Sequence, residues 1–163
     1  DLFHEDIPFP FIEKVFDTMN KAYWHNFQIL TKRSTRLAEL SKKLNWTDNI
    51  WQGVTIESQK YIYRLDNLRK VPTNVRFISF EPLLSDIKEL CLKKIDWVIV
   101  GGESGIGSRP MKEDWVLSIK QECENNNIPF FFKQWGGFNK KKSGRLLQGK
   151  FWNGYPLEKT SFV

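Results

Sequence analysis

The 163-residue sequence predicts an α/β protein of repeated parallel strand–helix units, an incomplete TIM-like (β/α) barrel with about five strands. Three observations carry that prediction. Five short apolar runs recur along the chain, at 27–30, 50–54, 75–80, 97–100 and 129–132. Their starts are spaced by roughly 22 to 32 residues, the length that a strand, a loop and a crossover helix require. Runs such as Trp97-Val98-Ile99-Val100 are continuously apolar rather than alternating, as strands covered on both faces must be.

The first segment, 11–24, reads as an amphipathic helix behind a loop that holds two prolines. Nothing strand-like precedes it, so the chain begins in mid-unit and is expected to lack the strand that this loop should leave. After the 27–30 run, Ser34 can cap a helix through Leu37 and Leu40 to Leu44. The 50–54 run is succeeded by a helical stretch over 59–70, stopped by Pro72. A shorter helix is expected over 84–92. Residues 112–126 place Trp115, Val116 and Ile119 on one stripe and end in a run of asparagines. The barrel portion is assigned to 1–135. Residues 136–163, richer in Gly and Lys, form an extension packed on it.

Composition bounds the function. Apolar residues make up 40% and charged residues 27%, ordinary for a globular chain, while 13 Phe and 7 Trp are a heavy aromatic load. Twenty-five basic residues against 19 acidic ones leave a net charge of +6, which leaves room for a nucleic acid or a phosphorylated ligand. No run approaches the ~18 apolar residues of a membrane span and no signal peptide is visible, so a cytoplasmic location and no membrane partner are expected. Cys91 and Cys123 form no metal motif, and both are expected to be buried free thiols.

In parallel α/β folds, ligands gather where strands end and helices begin. The strand ends here deliver Lys32 and Arg33, then Glu57, then Glu81, then Gly101, Gly102, Glu103 and Ser104, and finally Lys133, Gln134 and Trp135. Glu57, Glu81 and Glu103 end successive strands and could bind a metal, move a proton or capture an amine; each could equally be an acid favoured by a helix dipole. The run from Gly101 to Pro110 lets backbone approach an anion, with Arg109 as a clamp for phosphate or carboxylate; its plainer reading is a tight turn with a structural Arg. It is neither a Walker loop nor a dinucleotide fingerprint. Lys32 and Lys133 can hold an anion or a neighbouring carboxylate, and Trp135 can stack on a flat ligand. His4, in the opening loop, joins this set if a strand precedes it. The 140–142 lysine run reads as a solvated loop.

Five motifs in order carry a resemblance: Asp1-Leu2-Phe3-His4-Glu5, Leu30-Thr31-Lys32-Arg33, Phe80-Glu81-Pro82-Leu83-Leu84, Asp96 to Gly105, and Pro129 to Gly136. With them the chain resembles the C-terminal two thirds of a phage- and bacterium-encoded family of radical S-adenosylmethionine-like proteins. That family carries an upstream three-cysteine motif. The resemblance implies S-adenosylmethionine and a [4Fe–4S] cluster in the full-length protein, with Glu57, Glu81, Gly101, Gly102, Glu103 and Ser104 around the cofactor. His4, Lys32, Arg33, Arg109, Lys133, Gln134 and Trp135 would then face an unknown, anionic substrate. The cluster ligands would lie in a missing N-terminal segment, or another chain would complete the barrel, and this chain would be inactive alone. Phe80 departs from the family, where Cys often precedes Glu-Pro. The rival expectation is a phage nucleic-acid-binding module using Arg33, Arg109 and 140–142.

Overall fold

Strands form where the apolar runs lie: β1 Phe27–Thr31, β2 Ile50–Thr55, β3 Arg76–Phe80, β4 Trp97–Gly101 and β5 Phe130–Gln134. The computed structural model describes residues 1–138 and 144–156. All neighbouring strands are parallel, in the order β1-β2-β3-β4-β5. That order separates the two α/β families. A doubly wound sheet reverses direction at a switch point and carries helices on both faces. Here each strand is added on the same side of the last, so right-handed crossovers put every helix on one face. The result is a partial (β/α) barrel.

The helices are α1 Phe9–Lys21, α2 Ser34–Ser41, α3 Arg64–Leu68 and α4 Glu113–Asn125, with a 3-10 turn at Gln59–Tyr61. They cover one sheet face through Ile12, Phe16, Leu37, Leu65, Val116 and Ile119, against Ile50, Val54, Ile78, Phe80, Val98, Val100 and Phe132. Alternation sends the intervening residues to the opposite, inner face, where Trp51, Val75, Phe77 and Trp97 form a second cluster. Gly53 is needed there. A Cβ on it would lie 2.3 Å from the Phe77 ring.

Several boundaries differ from the sequence expectation, each for a local reason. Helix α1 stops at Lys21 rather than 24, because the buried Asn49 amide takes the carbonyls of Met19 and His25 at 3.1 and 3.0 Å and turns the chain toward β1. Tyr23 and Trp24 are left exposed. Ser34 is the first residue of α2 and caps nothing; its hydroxyl accepts from the Asn67 amide at 3.1 Å. The expected 59–70 helix breaks into the 3-10 turn and α3. Gln59 is held from outside, its N–H donating to Ser85 Oγ and its Oε1 accepting from the Lys88 N–H.

No helix forms over 84–92. Leu83, Ile87 and Leu90 have helical spacing and are buried, but the backbone is bonded elsewhere. The Leu83 N–H donates to Gly101 O and the Leu84 N–H to Glu57 O, which lays the segment across the sheet end as an irregular strap. Of the two cysteines, Cys123 is buried in α4 and Cys91, on this strap, is exposed.

The described part of 136–163 returns to the sheet. Asn153 pairs antiparallel with Phe131, the Phe132 N–H donates to Trp152 O, and the Gly154 N–H donates to Phe130 O. Tyr155 then turns onto the inner face, 5.0 Å from the Trp97 ring and 5.3 Å from Trp51. The 140–142 lysines lie outside the described residues. Among the described residues, no helix is long and apolar enough to cross a membrane.

Candidate ligand site at the strand ends

Register decides which strand-end residues meet. Thr31 pairs with Val54, Thr55 with Ser79, and Ser79 with Ile99, so Lys32, Thr55, Ser79 and Ile99 share one row of the inner face. Two residues further along the strands, Glu57, Glu81 and Gly101 form the next row, the last before the loops. A register shift after Val100 pairs Gly101 with Gln134, and Lys133 joins the row through its side chain.

That row is charged and paired. Lys32 Nζ lies 2.6 Å from Glu57 Oε1, and Arg64 Nη1 lies 2.8 Å from Glu57 Oε2 while donating to Thr55 O at 2.6 Å. Across the sheet, Lys133 Nζ lies 3.0 Å from Glu81 Oε2. This second pair spans β4, and it does so because the intervening residue is Gly101: a Cβ there would sit 3.3 Å from Glu81 Oε1. Burial pushes the Glu57 carboxyl up, but the Lys32 hydrogen bond and the Arg64 charge pull harder, and its pKa lies below the usual 4.5. Glu57 is therefore an anion at neutral pH, suited to electrostatic anchoring rather than proton donation. The row presents two carboxylates flanked by two ammonium groups, complementary to a ligand that carries both charges.

The other expected residues are placed differently. Glu103 faces its own turn, where Arg109 Nε and Nη2 donate to its two oxygens at 2.8 and 2.7 Å and the Arg109 N–H adds a third bond. Those bonds hold the Glu103 carboxyl at about 2. Gly102 serves packing, since a Cβ would lie 1.9 Å from Trp135 O. The Gly102, Gly105 and Ser108 amides donate within the loop and to 134–137, while Gly107, Ser108 and Arg109 line, with Trp135, an open pocket of about 480 Å³. Ser104 Oγ accepts from Gln134 Nε2 at 2.9 Å, and Trp135 donates its indole N–H to Leu146 O. The structure thus brings together Lys32, Glu57, Glu81, Gly101 and Lys133, and gathers Glu103, Ser104, Arg109, Gln134 and Trp135 into a neighbouring turn.

His4 sits in the opening loop beside Glu5 and Asp6, half-exposed, its Nδ1 accepting from the Asp6 N–H at 3.3 Å. That loop is tied to β1: Asp1 accepts from Thr31 Oγ1 at 2.6 Å and from the Lys32 N–H at 3.1 Å, and Arg33 pairs with Glu5 at 3.0 Å. Sequence reasoning missed Asp1, Arg36 and Arg64. Arg64 lies inside a segment with an ordinary helical pattern, and nothing local marks it as the partner of Glu57.

A model of a protein family of unknown function, DUF5131, matches residues 1–156. The chain belongs to that family. No curated protein and no solved structure matches it. The matched span of this DUF5131 chain takes in all five strands and the whole charged row.

Proposed function

We propose that this DUF5131 chain is the cofactor- and substrate-holding part of a cytoplasmic radical S-adenosylmethionine-type protein, whose strand-end row takes the amino-acid portion of the cofactor. The observation that carries the reading is the row itself: Glu57 and Glu81 side by side, flanked by Lys32 and Lys133, with Gly101 keeping the space between Glu81 and Lys133 clear. A zwitterionic amino acid offers an ammonium to the carboxylates and a carboxylate to the lysines. S-adenosylmethionine, when bound, supplies an activated sulfonium centre. The chain's own part is to orient it, with Glu57 kept charged by Lys32 and Arg64.

The [4Fe–4S] cluster that the resemblance implies does not fit the residues at hand. Among the described residues no group of three or more His, Cys, Asp or Glu side chains is arranged to hold a metal, and Cys123 is buried in α4 away from the exposed Cys91. The nucleic-acid reading, built on Arg33, Arg109 and the 140–142 lysines, has less support, because Arg109 is engaged on both oxygens of Glu103 and the lysines lie outside the described residues.

Calorimetric titration of the chain with S-adenosylmethionine tests the proposal. Saturable binding is expected, weakened at least about tenfold by Glu81→Gln, the loss of one charge-assisted contact. Absence of binding, or equal affinity in the variant, overturns it.

A further inference from the structure

A second feature lies beside the charged row and shares Lys32 with it. The turn from β1 into α2, the opening loop and the start of α3 enclose a pocket of about 250 Å³. Four cationic side chains line it: Lys32, Arg33, Arg36 and Arg64. Among the described residues, only two carboxylates answer them, Glu5 on Arg33 and Glu57 shared by Lys32 and Arg64. Arg36 is bonded to the backbone carbonyls of His4 and Ile7, which orient it without neutralising it. Four positive charges against two negative ones leave an excess of two.

Two further observations point the same way. Helix α2 opens onto this pocket through Ser34 and Thr35, its first intrahelical bond runs from the Leu37 N–H to Arg33 O, and no side chain caps it. Arg64, which also lines the pocket, is only 6% exposed and is fixed by Thr55 O and Glu57, so its charge is held in the pocket lining. A compact dianion rich in acceptors answers the charge excess and the uncapped helix end together.

We propose that this pocket binds a terminal phosphate group of the substrate. The assignment of that phosphate to the substrate rests on the strand-end reading, since Lys32 belongs to both features; the pocket's affinity for phosphate does not. A monoester dianion is favoured over an internal phosphodiester because it matches the excess of two charges, and a diester brings one.

The test is calorimetric titration of the whole chain with inorganic phosphate at low ionic strength, without S-adenosylmethionine. Saturable millimolar binding is expected. Arg33→Gln should weaken it about fivefold, and Glu5→Gln, which frees Arg33 from its carboxylate, should tighten it by a similar factor. Both side chains are partly exposed, so neither variant threatens the fold. Adenosine 5′-monophosphate should compete with phosphate, and an oligothymidylate lacking a terminal phosphate should not. No saturable binding below about 10 mM, affinities unmoved by both variants, or equal competition by the oligonucleotide would each overturn the proposal. Phosphate binding with no response to S-adenosylmethionine sinks the strand-end reading alone; the reverse pattern sinks the pocket alone.

Discussion

Glu103 and Glu81 stand at the ends of neighbouring strands, and the structure gives them opposite tasks. Glu81 reaches over Gly101 to Lys133 on the inner face, whereas Glu103 closes its own turn on Arg109. The difference comes from the residues after each of them: Pro82 leads into the strap, while the glycines after Glu103 let the chain fold back so that Arg109 meets it. The turn therefore carries a pH signature. Glu103 is depressed from 4.5 to about 2, so its contribution to the folded state is fully present above about pH 4.5 and is lost as the pH falls through about 2. Acid titration monitored by NMR of 104–109 should show the loop loosening in that window. In Glu103→Gln the loosening should already be present at neutral pH and should not change between pH 5 and 2. A wild-type loop unaltered down to pH 2 would contradict the assignment.

Among the elements, the two least regular ones serve one face each: the strap packs into the helix-covered cluster, and the end of the described chain covers the inner face. The segment over 84–92 and the Leu83 before it bury Leu83, Ile87, Leu90 and Leu92 without forming a helix, and the chain at 152–155 crosses from β5 onto the inner aromatic cluster. The apolar spacing of the first was readable in the sequence; its conformation was not, because its hydrogen-bond partners come from β4, the 57–59 loop and Gln59. The second is anchored by the Trp97 indole N–H, which donates to Gly154 O at 2.8 Å, and by the Gln28 amide, which donates to Tyr155 Oη at 3.3 Å. Trp97→Phe keeps an aromatic ring there and removes the donor. It should cost about 1–3 kcal/mol, read from the denaturant midpoint, and should raise hydrogen exchange at 152–154 while β3 stays protected. Unchanged exchange at 152–154 would mean that the crossing chain is held by packing alone.

At the scale of the whole molecule, one apolar cluster runs from Phe3 in the opening loop to Leu147 near the end of the described chain. Every helix and all five strands contribute to it, so no element can leave without exposing its neighbours. The chain should unfold in one cooperative step, with far-UV circular dichroism and tryptophan fluorescence giving coincident transitions. A fluorescence transition that precedes the circular dichroism transition would show that part of the tryptophan-bearing core melts apart from the helices.

The sequence by itself determined the five strands and their parallel α/β character, because apolar runs at crossover spacing are a one-dimensional signal that steric rules convert into topology. The strand order that separates a barrel-type sheet from a doubly wound one belongs to the assembled fold. The sequence also determined that Lys32, Glu57, Glu81, Glu103 and Lys133 lie at strand ends. Only the tertiary structure decided which of them meet. Which residues share a row depends on register between strands tens of residues apart, and on where a glycine leaves space. Hence Glu57 joins Lys32 and the unforeseen Arg64, Glu81 joins Lys133 across Gly101, and Glu103 turns away to Arg109. Long-range pairing of this kind has no signature in the chain read in order, because the partners are chosen by the register of the assembled sheet.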